Sequence, residues 1–228
     1  MSLENLKYLK RIPLFYGLAD EQLLEISSVL LERSYHKGRF IFMEGEPGEA
    51  IYILKSGLIK LTKRLEDGRE HILHFVNAGE IFAEVVLFDG GTYPATSEVQ
   101  EDSVVGVLRN QDIERLISKN PVMAVEMLRI MSRRLRTAQE KVMNLALHDT
   151  TRRLAFALIK MAEDHGIKKS KGIFINMSLT NQELANLTGS SRETVNRMLN
   201  GFKRSGAIDV ERQQIVVLDK AKLEDLLR

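Results

Sequence analysis

The sequence predicts an α+β protein: an N-terminal sandwich or barrel of short strands, one long helix, and a C-terminal winged helix-turn-helix. Three observations predict it. Nine of the fifteen glycines fall within residues 38–106, an apolar heptad runs from Leu128 to Leu145, and two helix-start signals flank Gly189. At 228 residues and 25.9 kDa the chain exceeds the usual single-domain size of roughly 100–150 residues, which favours more than one domain. The expected boundaries are 1–120 for the strand-rich domain, 121–148 for the long helix and 149–228 for the helix-turn-helix domain.

Between Gly38, Gly48, Gly57, Gly68 and Gly79 the segments are short and rich in Ile, Val, Leu, Phe and Tyr, a punctuation that suits strands joined by tight turns. Lys55-Ser56-Gly57 separates Ile51–Leu54 from Leu58–Leu61, and Asp67-Gly68 separates the latter from His71–Phe75. Both are read as hairpin turns, because glycine accepts the positive φ that primed turns demand.

The glycine rhythm ends at Gly106, and from Asn110 to about Asp164 the pattern is helical. Pro121 opens a helix at a position where its missing N–H is not needed. Beyond it Leu128, Met131, Leu135, Ala138, Val142 and Leu145 follow at alternating steps of three and four, the seam of a pairing helix, with Arg134, Glu140 and Lys141 on its flanks. Met123, Met127 and Ile130 form a second stripe. One stripe is expected to pack on the strand-rich domain and the seam to pair with a second copy. Asp149 before Thr150 and Thr151 is an N-cap signal, which places a hinge at Asp149 and a new helix at about Thr150.

Thr180 with Glu183 and Ser190 with Glu193 read as capping boxes. Gly189 between them suits a left-handed turn, and Ala185 is small enough to let a second helix cross closely. Val195, Leu199 and Phe202 give that helix a buried face and leave Arg192, Glu193, Asn196 and Arg197 on another. Arginine donates two parallel hydrogen bonds to guanine O6 and N7, and glutamate accepts from cytosine N4, each good pair contributing about 1–3 kcal/mol of discrimination. Ser191, Thr194 and Lys203 are placed for phosphates, with Thr180 and Asn196 in support. Ala207–Val210 and Ile215–Leu218 read as the hairpin of a wing.

Charge agrees with this placement. Residues 1–149 carry 19 Lys+Arg against 22 Asp+Glu, and residues 150–228 carry 14 against 9, so the net +2 conceals a basic C-terminal part. That is the footprint of a polyanion partner, and DNA is the expected one. A regulatory module that acts on a partner protein without binding DNA is the alternative from a different class.

Composition removes several chemistries. Zero cysteines exclude disulfides, thiolate zinc sites, thiol catalysis and cysteine-ligated iron–sulfur clusters. No apolar run approaches the ~20 residues of a membrane span, and charges interrupt the N-terminal leucines, so a cytoplasmic protein with no membrane partner is expected. The chain has no nucleotide-binding glycine loop before a helix, no HExxH and no GxSxG. Neither an enzyme nor a metal site is expected.

In module order and in motif the chain resembles the bacterial Crp/Fnr family of transcription regulators, which includes the cyclic-AMP receptor protein and the fumarate and nitrate reduction regulator. The residues that carry the resemblance are the glycine-punctuated strands, Gly79–Phe88 (GEIFAEVVLF), the helix end Glu140–Ala146 and Ser191–Arg197 (SRETVNR). The resemblance implies a cyclic-nucleotide-binding-like β-roll that receives an effector, a homodimer built on the long helix, a palindromic promoter site, and RNA polymerase as a partner. It also implies that Arg192, Glu193 and Arg197 read bases in TGTGA-like half-sites, spaced about 34 Å apart for a symmetric dimer.

The resemblance fails at the effector. The family's phosphate-binding cassette pairs Gly-Glu with Arg-Ser ten residues beyond the Glu. Here Glu84 is present, Ala83 replaces the glycine, and Pro94-Ala95 stands where Arg-Ser would be. Proline offers neither charge nor N–H donor, and the Thr-Ser pair of the long helix is replaced by Ala138-Gln139, so cyclic AMP is not the expected effector. Arg134 matches the family arginine that pairs with the cassette glutamate. The expected pocket for an unidentified small molecule is Glu84, Pro94, Ala95, Thr96, Arg134, Ala138 and Gln139. A haem-based gas sensor is the alternative, with His36, His71, His74, His148 or a methionine as axial ligand. His71 and His74, three apart in a strand, point to opposite faces and do not share a metal.

Overall fold

The computed structural model describes residues 6, 8–64, 68, 70–147, 149–211 and 213–227, without the side chains of residues 141 and 144–147. Asp67 of the second expected turn, His148 and the Leu145 side chain lie outside the described residues. The chain divides into two compact units, residues 1–136 and 137–228.

In the first unit a helix, α1 (Asp20–Val29), precedes strands β1 (Leu31–Tyr35), β2 (Phe40–Phe42), β3 (Ala50–Arg64), β4 (Glu70–Val76) and β5 (Ile81–Phe82). A short helix α2 (Val85–Asp89) and the long strand β6 (Thr96–Arg109) follow, then α3 (Asn110–Lys119) and the start of α4 (Pro121–Leu147). All strand pairs are antiparallel, in the order β1-β6-β3-β4, with β2 on β6 and β5 on β3.

The period of β3 explains its unbroken apolar run. Ile51 and Ile53 face a core shared with Leu23 and Ile26 of α1, Ile113 and Leu116 of α3, and Met123, Met127 and Ile130 of α4. Alternate residues Ala50, Tyr52 and Leu54 face a second core with Phe42, Phe82, Val86, Tyr93, Val105 and Val107. Both faces of the strand are therefore covered, and no polar alternation is needed. The second core is aromatic at its centre, with Phe42 stacked on Tyr93 at 4.1 Å and Tyr52 on Phe82 at 5.2 Å between ring centroids.

The structure corrects the first expected hairpin. Lys55-Ser56-Gly57 is not a turn: β3 runs straight through it and pairs with β6 from Ala50↔Arg109 to Thr62↔Thr96, with register shifts between Leu54 and Ser56 and between Ser56 and Leu58. Gly57 has φ +94°, and a Cβ there would lie 2.2 Å from Ser103 Oγ and 2.7 Å from Asp102 O. The glycine marks a β-bulge, which demands the same positive φ as a turn. Around the second expected turn, Arg64 of β3 pairs with Glu70 of β4.

The second unit continues α4 into α5 (Thr150–His165), capped as expected by Asp149, whose Oδ1 accepts the Arg152 N–H at 2.9 Å. Then come β7 (Gly166–Lys169), β8 (Gly172–Ile175), α6 (Asn181–Thr188), α7 (Arg192–Arg204), β9 (Ile208–Glu211), β10 (Gln214–Val217) and α8 (Lys220–Glu224). The sheet order is β7-β8-β10-β9, so the expected wing β9–β10 extends a hairpin, β7–β8, that the sequence reading did not identify. Helices α5, α6 and α7 pack on one another.

An ion cluster fastens α8 to α5. Glu163 accepts Lys220 Nζ at 2.9 Å and Lys160 Nζ at 3.0 Å, and these two ammonium donors hold its carboxyl below the usual range. A folded-state acid stronger than the unfolded one stabilises the fold above the unfolded value, near ~4.3 for Glu, and loses that contribution as pH falls through the lower folded value. The urea midpoint of wild type is thus expected to fall more steeply below about pH 5 than that of Glu163→Gln. Because the carboxylate is 40% exposed, the difference stays below about 1 kcal/mol. Identical pH profiles would count against it.

Candidate nucleic-acid interface

The helix-turn-helix is built by its turn. Thr180 Oγ1 accepts the Glu183 N–H at 3.1 Å, and Glu183 Oε2 accepts the Thr180 N–H at 2.8 Å, so the first capping box forms as read. Gly189 ends α6 at φ +61°, and its N–H and that of Ser190, at 3.0 Å, both donate to Ala185 O. Ala185 is fully buried where α6 meets α7.

The second capping box is corrected. Ser190 is drawn back onto α6 by its own N–H, so the cap moves one residue on: Ser191 Oγ accepts the Thr194 N–H at 3.2 Å and donates to Thr194 Oγ1 at 2.9 Å. Helix α7 consequently begins at Arg192. Val195, Met198, Leu199 and Phe202 are buried beneath it.

Arg192, Glu193, Asn196 and Arg197 all lie exposed on the outer face of α7. Two open clefts mark that face, one of about 430 Å³ lined by Asn181, Ser191, Arg192, Glu193 and Asn196, the other of about 790 Å³ lined by Glu193, Asn196, Arg197, Asn200, Lys203 and Arg204. Asn181, Asn200 and Arg204 were not picked out from the sequence. The last two extend a four-residue repeat, Arg192, Asn196, Asn200, Arg204, that stays on one side of a helix and was there to be read.

The expected phosphate donors divide. Ser191 is exposed, Thr194 and Thr180 are half-buried in their caps, and Lys203 is committed to the wing, with Nζ 2.8 Å from Asp209 Oδ1 and 3.4 Å from Val210 O. The hydrogen bonds from Lys203 and from the Val210 N–H hold Asp209 below the usual carboxylate range. Lys203 thus fixes β9 against α7.

In the first unit Glu84 is buried at the start of α2 and forms an ion pair with Arg134, whose guanidinium also donates to Ile81 O. Glu84 Oε2 is buried without a hydrogen-bond partner among the described residues. Ala83 beside it is held at φ +61°, the left-handed region that a glycine would occupy without strain. Pro94 is exposed and Ala95 buried, and Thr96 Oγ1 accepts the Glu44 N–H at 3.0 Å. Ala138 and Gln139 are exposed on the part of α4 that belongs to the second unit. His36 and His74 lie beside carboxylates, Asp102 at 3.4 Å and Glu80 at 3.1 Å.

The model of the cyclic nucleotide-binding domain matches residues 32–120, and that of the Crp-like helix-turn-helix domain matches residues 152–226. The chain is 33% identical over 196 residues to the anaerobic regulatory protein of Bacillus subtilis, covering 86% of this chain and 82% of that one. It is 32% identical over 217 residues to a CRP-like cAMP-activated global transcriptional regulator of Mycobacterium tuberculosis, covering 94% and 96%. In fold it is similar to the solved structure of a CooA mutant from Carboxydothermus hydrogenoformans, with a TM-score of 0.78 at 21% identity over 100% of this chain and 98% of that one. No helix among the described residues is long and apolar enough to cross a membrane.

Proposed function

Given that the chain belongs to the Crp/Fnr family of transcription regulators, we propose that it acts as a homodimer that reads a palindromic promoter site with TGTGA-like half-sites. The observation that carries the reading is the exposed row of Arg192, Glu193 and Arg197 on a helix fixed by the Ser191 cap and a buried apolar face. In this reading residues 1–120 receive the signal, residues 121–148 form the dimer helix, and residues 149–228 bind DNA beyond a hinge at Asp149. RNA polymerase is the further partner that the family implies.

The effector we assign is a small molecule other than cyclic AMP. An exposed proline and a buried alanine stand where a cyclic phosphate would need a cation and a hydroxyl, while Glu84 keeps one buried oxygen for a donor. Its binding shifts the dimer between states only by its differential affinity for them, typically about 1–3 kcal/mol.

The test is DNA binding by wild type and Arg197→Ala. The variant is expected to lose about 30- to 10⁴-fold on a TGTGA palindrome, because a homodimer gives up one bidentate base contact of about 1–3 kcal/mol in each half-site, and to stay within a few-fold of wild type on scrambled DNA. Equal discrimination in both proteins would sink the assignment.

A further inference from the structure

Asn196 occupies the middle of the exposed row, one turn beyond Arg192, and lines both clefts of the α7 face. Its side chain has a partner on α6. Asn181, the first residue of α6, donates from Nδ2 to Asn196 Oδ1 at 3.3 Å, and both residues line the smaller cleft. The contact joins the two helices of the motif through side chains alone. It also decides what Asn196 offers to a base. An asparagine that turns both amide ends to a major-groove edge reads adenine, accepting from N6 and donating to N7. With Oδ1 held against α6, the amide presents its N–H donors outward, and the matching edges are acceptors: N7 of either purine, O6 of guanine or O4 of thymine, but not the N4 amine of cytosine.

We propose that Asn196 reads a base beside those read by Arg192, Glu193 and Arg197, and that Asn181 is a positioning residue that fixes it as a donor. The inference rests on the DNA-reading function proposed above. Asn181 touches no base in this scheme and acts only through Asn196.

The experiment is selection of binding sites from a duplex library randomised across the half-site, carried out with full-length wild type, Asn196→Ala, Asn181→Ala and Asn181→Ser. Wild type is expected to select against cytosine at one position that Asn196→Ala flattens, a bias of roughly five- to tenfold for a single donor contact. Asn181→Ala is expected to shift that same position towards adenine, and Asn181→Ser, which keeps a donor, to hold the wild-type preference. A merely structural role for Asn181 would instead lower affinity evenly at every position and overturn its assignment as a positioning residue. If wild type selects a half-site that Asn196→Ala leaves unchanged, this inference fails while the DNA-reading function stands. If wild type selects no sequence at all, both fail together.

Discussion

Replacing Arg134 by alanine is expected to lower the stability of the N-terminal unit by about 3 kcal/mol, the lower end of the range for removing one partner of a buried ion pair. The side chain of Glu84 is 2% exposed and that of Arg134 is 36% exposed, so the arginine reaches in from the surface to neutralise a carboxylate that water does not reach. Glu84 Oε2 already lacks a hydrogen-bond partner among the described residues, and the variant takes the guanidinium donor away from Oε1 as well. It also removes the donor to Ile81 O at the end of β5. Introducing Glu84→Gln into the Arg134→Ala background is expected to recover at least half of the loss, because a neutral amide costs less to bury than an unpaired carboxylate. Urea unfolding of the four proteins in the cycle measures this. A loss below about 1 kcal/mol in Arg134→Ala would place the pair among weak surface contacts and remove it as the bolt between α2 and α4.

That bolt was legible as a pairing of two residue types fifty positions apart, but only because a resemblance supplied the correspondence. Periodicity alone placed other features. The stripe Met123, Met127, Ile130 is buried against the β-roll, while Leu128, Leu135 and Val142 stand out in solvent. Capping chemistry located Asp149 and Thr180, because a short polar side chain before an apolar run has one efficient use. Where two structures demand the same local chemistry the sequence is mute. A positive-φ glycine serves a turn or a bulge, and only the continuation of β3–β6 pairing on both sides of Gly57 separates them there. Two adjacent serines serve equally as caps until Gly189 draws Ser190 back towards Ala185. The ion pair of Lys203 with Asp209 was hidden for another reason: the wing brings Asp209 to it through tertiary structure that no spacing rule contains.

The largest effect is expected from charging the exposed seam. Leu128 and Leu135 are 67% and 62% exposed, and Val142 is 64% exposed, so three apolar side chains on one helix lack cover in the single chain. Their spacing of seven is the spacing that a second helix fills with matching residues. Replacing Leu128 and Leu135 together by glutamate removes two knobs from each helix and sets four new carboxylates along the seam of a pair. The substitutions bury nothing in the monomer, so its unfolding midpoint is expected to change by no more than about 0.5 kcal/mol equivalent. Sedimentation is expected to show a dimer for wild type and a monomer for the double variant. Binding to a duplex carrying a single half-site should then be unchanged. Binding to the full palindrome should fall by about 10²–10⁴, because the second half-site contact is no longer made at the high effective concentration that a dimer provides. A variant that remains dimeric would move the interface elsewhere on the chain. A monomeric variant that keeps full palindrome affinity would separate dimerisation from DNA reading and overturn the symmetric two-half-site mechanism.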